Sequence, residues 1–468
     1  MTYSTQGLFK ELPFIDLDDQ TIAVFSPYAY LVALVNKGAL KSNAVHAALE
    51  QFSFLGTPST QGPLAQDHID ITLIVTTDCN LRCKYCFTDA GNRPHQMSEK
   101  MALDVLRGLS GVEEKKSVSV TFFGGEPTLA IKTIKDIVDQ VRSGKLLSDK
   151  KVTFGITTHG VVSVDDAKFL ADNGFDIMIS ADGLPDDQDF QRPTCGNGRT
   201  SHIVERTIKT LSRTTQSFKI RSTVTDRTVG KLAEITSYYA GLGAPVLHFE
   251  PMTYAGRAGR GDDVSHGLLR RPEQNVYLDN FASALTVASD CGIRLTSSYF
   301  MNFLKPSSVY CDAHTANRAV VTPNGELSRC LEIQDACHEL AAHGIENAGA
   351  DRSHLVSVLR DFRSQNSMND CAKCVAKYAC GGGCPVRNLR GTGSITSVDS
   401  HECFLHENVF KLALGQICQD SMRPATRLFS GPGIRVHRMA IPANLWMKGM
   451  EHVPAENRLS ITIPSIFH

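Results

Sequence analysis

The central part of the chain alternates two hydrophobic patterns. Short runs rich in β-branched residues alternate with longer segments whose apolar residues recur every three or four positions. Six such repeats extend from Ile69 to Met252; the first strand run is ITLIVTT and the last is APVLHFEPM. This alternation predicts an α/β fold in which parallel strands and helices form a partial (β/α)6 TIM-like barrel over residues 69–255. Catalytic groups are then expected just beyond the carboxyl ends of the strands.

The segment before the barrel, residues 1–68, predicts a small α+β module. ELPFIDL and TIAVFS have the pattern of strands, YAYLVALVNKG and NAVHAALEQF that of helices, and the linker GTPSTQGP follows. We expect either a structural cap or an element that binds a peptide as an additional strand.

Three further segments follow the barrel. Residues 256–305 predict a connecting helical segment, residues 306–410 form a cysteine-rich domain, and residues 411–468 hold a carboxy-terminal helix and a tail. The tail has little periodicity, so it carries no structural prediction beyond the helix.

Composition narrows the class of protein. Of 468 residues, 42% are hydrophobic and 21% charged, and the formal net charge of -1 gives no basic surface for nucleic acid. We find neither a signal peptide nor eighteen consecutive apolar residues, so we expect a cytoplasmic protein without a membrane partner. Cysteines in that compartment stay reduced, and the fourteen present here therefore indicate metal or redox chemistry.

A group of three cysteines follows the first barrel strand. Cys79, Cys83 and Cys86 are spaced by four and three residues. Three thiolates leave one position of a metal site open, whereas a closed structural site takes four. The alternative is that the three thiols are buried on one face of a helix. The polar residues between them argue against such a dry face.

This loop resembles the cluster loop of the radical S-adenosylmethionine (SAM) enzymes, because Cys79-x3-Cys83-x2-Cys86 has the aromatic Tyr85 before its last cysteine. The resemblance implies a 4Fe–4S cluster on the three thiolates, with SAM bound to the fourth iron and Tyr85 at the cofactor site. Reductive cleavage of SAM then gives a 5′-deoxyadenosyl radical, which abstracts a hydrogen atom from the substrate. An electron donor such as flavodoxin or ferredoxin is implied.

Further motifs at successive strand ends match the same family in order. The resemblance implies SAM contacts from Gly124, Gly125, Glu126 and Pro127 after the second strand, Thr157 and Thr158 after the third, Ser180 and Asp182 at the fourth, and Arg221 on the fifth. His159 departs from the Asn that relatives usually carry. A surface ion pair is the plain alternative for Arg221. Gln188 stands where relatives often have His, so no general base is assigned and the catalytic residues are unknown.

The second cysteine region predicts either zinc sites or further iron–sulfur clusters. On spacing alone, Cys-x2-Cys pairs are typical of structural zinc. Beside the first loop, the region resembles the SPASM extension of peptide-modifying radical SAM enzymes, which implies two auxiliary 4Fe–4S clusters and three in all. One set is complete, with Cys371, Cys374, Cys380 and Cys403.

The other auxiliary set has three members, Cys311, Cys330 and Cys384. Closed relatives carry a further cysteine shortly after the first, and the stretch DAHTANRA has none. Either this cluster has an open or non-cysteine position, which we favour, or Cys337 closes it. Cys195, Cys291 and Cys418 match no motif and are expected to be incidental thiols.

The resemblance implies a peptide or protein maturase that forms an intramolecular thioether, ether or carbon–carbon cross-link. An anaerobic sulfatase maturase, which makes formylglycine, is the alternative enzyme. A non-catalytic iron–sulfur or zinc scaffold is the alternative of another class, and the motifs at successive strand ends argue against it.

Overall fold

The structure is a computed structural model that describes residues 6–9, 12–27, 29–51, 67–110, 114–258, 269–307, 309–314, 317–332, 341–342, 371, 373–394, 397–422, 427–431 and 434–448.

Sixteen strands are described, and they form two sheets. In chain order they are β1 (Gln6–Phe9), β2 (Leu12–Asp16), β3 (Thr21–Ser26), β4 (Leu31–Asn36), β5 (His68–Thr76), β6 (Ser117–Gly124), β7 (Lys151–Thr158), β8 (Asp176–Ser180), β9 (Phe218–Val224), β10 (Val246–Pro251), β11 (Arg294–Thr296), β12 (Arg318–Val321), β13 (Leu327–Ser328), β14 (Ala341–Ala342), β15 (Arg427–Gly431) and β16 (Ile434–Arg438).

The described α-helices connect or cover these sheets. They are α1 (Asn43–Gln51), α2 (Glu99–Ser110), α3 (Ile131–Arg142), α4 (Val164–Asp172), α5 (Pro185–Gln191), α6 (Ser201–Thr214), α7 (Leu232–Gly241), α8 (Gln274–Cys291), α9 (Lys377–Cys380), α10 (Pro385–Thr392) and α11 (Ser400–Ser421). None of them is long and apolar enough to cross a membrane.

The larger sheet confirms the predicted α/β fold. Strands β5 to β10 are parallel neighbours in chain order, and the sheet continues from β10 to β11 and from β5 through β12 and β13 to β14. Alternate residues such as Phe122, Ile179 and Leu247 are fully buried in the core that the helices share. The opposite face of these strands is polar at several positions, and it carries the candidate site.

The smaller sheet is antiparallel and joins the two ends of the chain. Its order is β1-β2-β3-β4-β16-β15, so strands after residue 426 complete a sheet that begins near the amino terminus. One face packs on α1 through Val45 and Leu49. The other joins the main core, where Phe25 meets Phe303 with ring centroids 6.4 Å apart. The sheet is therefore buried on both faces.

One predicted element is wrong. The run YAYLVALVNKG was expected to be a helix, but its apolar part forms strand β4. Leu31 to Val35 are all buried because β4 lies between β3 and β16 with both faces covered. A strand buried on both faces lacks polar alternation, and its pattern then resembles that of a buried helix. The other helix of this module, NAVHAALEQF, is confirmed by α1.

Candidate functional site

The three-cysteine segment after β5 is an irregular loop. Residues 77–98 contain no helix, which excludes the alternative of buried thiols along a helical face. The backbone N–H of Arg82 donates to Pro193 O at 2.8 Å, and that of Lys84 donates to Gln191 O at 3.0 Å. The loop is thus held along the end of α5 and the residues that follow it.

The three thiols lie in one small cluster. Cys79 and Cys83 are buried, Cys86 is half-buried, and all three pack with Leu81 and Ala90. Burial raises the pKa of Cys79 to about 12 and that of Cys83 to about 11. A neighbouring cationic centre is therefore needed to hold them as thiolates at neutral pH.

Two arginines hold the backbone of this loop. Arg82 Nη1 donates to the carbonyl oxygens of Cys79 and Leu81 at 2.7 and 2.8 Å. Arg257, just beyond the last barrel strand, donates from Nε to Cys83 O at 2.9 Å. Three carbonyl oxygens of the loop are therefore bound by protein donors, and these bonds fix the path of its backbone.

The glycine pair after β6 allows a close backbone approach. A Cβ on Gly124 would lie 2.0 Å from Thr76 O, and one on Gly125 would lie 2.1 Å from Asp78 O. Their neighbour Glu126 donates its backbone N–H to Asp78 O at 2.8 Å. The second strand end therefore packs directly on the start of the cysteine loop, and only glycine fits there.

Glu126 and His159 join the second and third strand ends. The buried Glu126 carboxylate accepts from Thr158 Oγ1 at 2.8 Å and from the His159 backbone N–H at 2.9 Å. The Val161 N–H donates to His159 Nδ1 at 3.0 Å, so His159 Nε2 carries the proton that it donates to Asn80 Oδ1 at 2.7 Å. The residue that departs from the family pattern thus ties the third strand end to the cysteine loop.

Asp182 is the centre of a buried network beneath the loop. Its fully buried carboxylate accepts from the Tyr85 hydroxyl, from Gln191 Nε2 at 2.9 Å and from Arg192 Nε at 2.9 Å. It also accepts from the Thr223 backbone N–H at 2.9 Å. Both oxygens are satisfied by protein donors.

Arg192 links this network to the cluster thiols. Its Nη1 lies 3.7 Å from Cys83 Sγ, and its guanidinium stands over the Tyr85 ring at 5.2 Å from the centroid. The whole residue is only 7% exposed. Burial opposes the ionised state of Arg192, but the charge of Asp182 more than offsets this and holds its pKa well above the usual range. A fixed positive charge therefore sits beside one thiol of the loop.

Ser180 and Arg221 lie in one row across the sheet. Ser180 on β8 is the register partner of Arg221 on β9, and Arg221 is the register partner of His248 on β10. Arg221 is half-buried and forms no ion pair with a carboxylate among the described residues, which argues against the surface ion pair. Its charge acts on the buried Glu250 carboxylate without a direct ion pair, so the guanidinium can still pair with a bound anion.

The loop fits the group that it resembles. Three thiols gather without a fourth cysteine among the described residues packed with them, and arginines surround the loop. One cluster position would remain for an exogenous ligand, and Arg221 offers a partner for a carboxylate. The positions Gly124, Gly125, Glu126, Pro127, Thr157, Thr158, Ser180 and Asp182 all lie at the ends of β6, β7 and β8.

Cys311, Cys330 and Cys384 are brought together from distant parts of the chain. Cys311 lies close enough to both other thiols, and Cys330 close enough to Cys384, to disfavour their ionisation. Burial raises the pKa of Cys330 to about 11. The Glu332 charge disfavours ionisation of Cys330 and Cys384, and its backbone N–H donates to Cys330. The Glu332 carboxylate forms an ion pair with Arg390 Nη1. An acidic side chain therefore stands at the three-thiol set.

The other carboxy-terminal cysteines lie on neighbouring elements. The Cys374 N–H donates to Cys371 O at 3.2 Å, Cys380 ends α9, and Cys403 lies in the first turn of α11. Burial raises the pKa of Cys374 to about 11. Cys337 lies outside the described residues.

Across the described ranges, no group of three Cys, His, Asp or Glu side chains is placed to hold a single metal ion. Tetrahedral zinc requires sulfur atoms at about 2.3 Å from one ion, and hence close to one another. The choice between zinc and iron–sulfur clusters at these cysteines stays a prediction.

Sequence patterns did not indicate three groups of the site: Arg192, His248 and Glu250. Arg192 follows Asp182 by ten residues, and this spacing corresponds to no sequence motif that predicts a contact. His248 and Glu250 lie inside the hydrophobic run of β10, and their alternation with Leu247 and Phe249 was the available signal.

Comparison with known proteins gives one family match. Residues 73–232 match the model of the Radical SAM superfamily. The serine-type anaerobic sulfatase-maturating enzyme of Klebsiella aerogenes is 24% identical over 68% of this chain and 79% of its own length. The mycofactocin maturase MftC of Mycolicibacterium smegmatis is 27% identical over 68% of this chain and 78% of its own length.

Solved structures support the same fold. The enzyme anSMEcpe, solved with bound AdoMet and the Cp18Cys peptide, superposes with a TM-score of 0.61 at 20% identity over 75% of this chain and 98% of its own. Streptococcus suis SuiB, solved with its precursor peptide SuiA, gives 0.52 at 13% identity over 85% of this chain and 100% of its own. The chain carries a radical SAM domain and is homologous to the anaerobic sulfatase-maturating enzymes and the MftC maturases.

Proposed function

We propose that this chain is a radical SAM maturase of a ribosomally made peptide or protein. The observation that carries the proposal is the three-thiol loop after β5, with its buried Arg192–Asp182 pair and the ordered motifs at the next strand ends. Relatives named as maturases span about two thirds of this chain. The chemistry supplied by bound SAM and a reduced cluster is hydrogen abstraction by a carbon radical.

The protein's own residues prepare the site. Arg82 and Arg257 fix the loop that presents the thiols, and Arg192 places a positive charge beside Cys83. Arg221 and Ser180 line the face of the sheet opposite the helices, and Arg221 binds the carboxylate of SAM. Electrons come from a small donor such as a flavodoxin or ferredoxin.

We assign an auxiliary cluster to each carboxy-terminal cysteine set. Cys371, Cys374, Cys380 and Cys403 supply four thiolates, and such a closed site serves structure or electron transfer. Cys311, Cys330 and Cys384 supply three. We assign the fourth position of this second site to the Glu332 carboxylate, because the Glu332 backbone N–H donates to Cys330 and places this residue at the thiols. Arg390 holds the residue there, through an ion pair from Nη1 to the carboxylate and a hydrogen bond from Nη2 to the carbonyl oxygen at 3.0 Å.

Replacement of Glu332 tests this ligand without a substrate. In Glu332→Ala we expect the reduced protein to show a changed electron paramagnetic resonance spectrum and a shifted reduction potential for one cluster, because the ligands set both. Glu326→Ala, an exposed carboxylate six residues earlier, should leave the spectrum unchanged. If Glu332→Ala matches the wild type while Cys330→Ala does not, another group such as Cys337 holds the fourth position.

The substrate class can be tested by co-expression. We expect that a short peptide encoded beside this chain's gene, produced together with it, loses two hydrogen atoms in mass and gains a protease-resistant cross-link. An unchanged peptide from every neighbouring reading frame, despite active SAM cleavage, would contradict a peptide substrate encoded nearby.

Formylglycine formation is the second candidate, since one of the relatives is the serine-type anaerobic sulfatase-maturating enzyme of Klebsiella aerogenes. Oxidation of a serine to formylglycine also removes two hydrogen atoms. The two products differ in reactivity, because only the aldehyde forms a hydrazone with a hydrazide reagent. Labelling of the product therefore favours formylglycine, and its absence favours the cross-link.

The smaller sheet offers a docking site for a leader peptide. Within the described part of this sheet, β1 and β15 are the outer strands. A peptide that adds to such an edge gains backbone hydrogen bonds without a strict sequence requirement. Deletion of residues 6–9 would then raise the KM for a leader-bearing peptide more than that for the isolated core peptide.

A further inference from the structure

Two titratable side chains of β10 face away from the helices. His248 and Glu250 are buried and lie two residues apart. Phe249, between them, packs edge-on against Phe281 of α8, with ring centroids 6.4 Å apart. Successive side chains of a strand point to opposite faces, so His248 and Glu250 project from the polar face. Neither residue belongs to the motifs that predicted the cofactor site.

The register places this pair beside the predicted SAM contacts. His248 is the register partner of Arg221, which in turn pairs with Ser180. Glu250 is the register partner of Thr223, whose backbone N–H donates to Asp182 at 2.9 Å. In parallel strands, partners point to the same side. His248 therefore stands in the same row as two residues assigned to SAM.

The hydrogen bond between the two side chains fixes the imidazole tautomer. His248 Nε2 lies 2.9 Å from Glu250 Oε2. Burial disfavours the Glu250 carboxylate, but the Arg387 charge and the His248 hydrogen bond still hold its pKa well below the usual range. An ionised carboxylate can only accept, so Nε2 carries the proton. Burial also lowers the pKa of His248, and its Nδ1 then has a free lone pair at neutral pH.

The carboxy-terminal domain holds Glu250 in place. Arg387, on the helix that begins after Cys384, donates to Glu250 and to Glu402 Oε2, the latter at 3.1 Å. Ser298 Oγ donates to Glu250 Oε1 at 3.0 Å, the same oxygen that Arg387 Nη2 contacts, so both lie opposite the oxygen bonded to His248. Arg387 is therefore a positioning residue. The charged or titratable groups that face the pair are Lys219, Arg221, Tyr277, Tyr299, Tyr310, Arg387, Glu402 and His406.

We propose that His248 Nδ1 is the base that takes the proton released by the substrate as its new bond forms. The inference rests on the proposed function. After hydrogen abstraction, bond formation between the carbon radical and an X–H group breaks the X–H bond. The proton goes to His248 Nδ1, and the remaining electron goes to an iron–sulfur centre as a one-electron acceptor. Glu250 stabilises the imidazolium that results.

The test uses the reconstituted full chain, SAM, dithionite and the peptide from the neighbouring reading frame. Two products are counted, 5′-deoxyadenosine for abstraction and modified peptide for completion. His248→Gln keeps an amide N–H for Glu250 but has no basic nitrogen. We expect 5′-deoxyadenosine formation within about threefold of wild type and modified peptide reduced about 100-fold or more, since a general base contributes about 10²–10⁴.

The wild-type pH profile gives a second readout. The ratio of modified peptide to 5′-deoxyadenosine should stay constant as the pH falls through 6.5, the ordinary pKa of histidine, because the pKa of His248 is lowered. At still lower pH the ratio should fall, because a protonated imidazole cannot accept the substrate proton. His202→Gln, an exposed imidazole on α6, is the matched control and should keep the wild-type ratio.

Three outcomes separate the possibilities. A normal product ratio in His248→Gln would overturn the base assignment. So would the loss of 5′-deoxyadenosine in both His248→Gln and His248→Asn, because the base acts only after abstraction. Absence of 5′-deoxyadenosine from the wild-type protein would instead contradict the proposed function itself.

Discussion

Replacement of Cys79, Cys83 and Cys86 by alanine should abolish the formation of 5′-deoxyadenosine from SAM. The three thiols gather in one loop, and no other described cysteine packs with them. Without them the proposed cluster has no ligands, and the reductive cleavage of SAM stops. The carboxy-terminal cysteines are untouched, so iron should fall from about twelve atoms per chain to about eight. Chromatographic assay of 5′-deoxyadenosine and iron analysis measure both effects.

The matched control removes two thiols that match no motif. Cys195 and Cys291 are both exposed, and the double alanine variant should keep full iron and full cleavage. Continued cleavage of SAM by the triple variant would show that the radical chemistry resides elsewhere. Loss of all iron from that variant would show that the three cysteine sets are not independent.

Replacement of Arg192 by leucine should destabilise the barrel strongly. Arg192 Nε pairs with the fully buried Asp182 at 2.9 Å, and the substitution leaves that carboxylate without its cationic partner. Removing one member of a buried ion pair costs about 3–5 kcal/mol. We expect the melting temperature to fall by roughly 10 °C. Circular dichroism on the metal-free chain measures this apart from cluster loss.

Two further variants test whether the unpaired charge of Asp182 causes the loss of stability. Arg199 also forms ion pairs with two aspartates, but its side chain is 69% exposed, so Arg199→Leu should leave the melting temperature unchanged. The double variant Asp182→Asn, Arg192→Leu no longer has an unpaired buried carboxylate, so its melting temperature should recover part of the decrease. Equal melting temperatures for Arg192→Leu and Arg199→Leu would contradict a buried, charge-dependent role.

The fold of the barrel was predictable because its signals are local. Each repeat can be recognised within a window of ten to twenty residues. Its strand is indicated by a β-branched run such as SVSVTFF, and its helix by the periodicity of a segment such as LAIKTIKDIVDQVRSG. The cysteine loop was predictable for the same reason, since its three cysteines lie within eight residues. These features lead to the radical SAM domain, which the family match confirms.

Other features of the fold and the site could not be predicted, because they depend on contacts between residues that are distant in the sequence. Strand β4 was mistaken for a helix because its second neighbour, β16, comes from residues 434–438, and no local pattern reveals that partner. Arg192 meets Cys83 across 109 positions, and Arg387 meets Glu250 across 137. The role of a buried charged residue can be recognised only when the oppositely charged residue beside it is known, and the sequence does not show which residue that is. The positions assigned to SAM from motifs stay predictions.

The most direct test of the account is the reaction of the reconstituted wild-type chain with SAM and dithionite. We expect 5′-deoxyadenosine and methionine in equal amounts, with Arg221→Leu weakening SAM binding while iron stays complete. A protein that holds its full iron, remains folded and yet forms no 5′-deoxyadenosine would contradict the claim that this chain generates a radical from SAM.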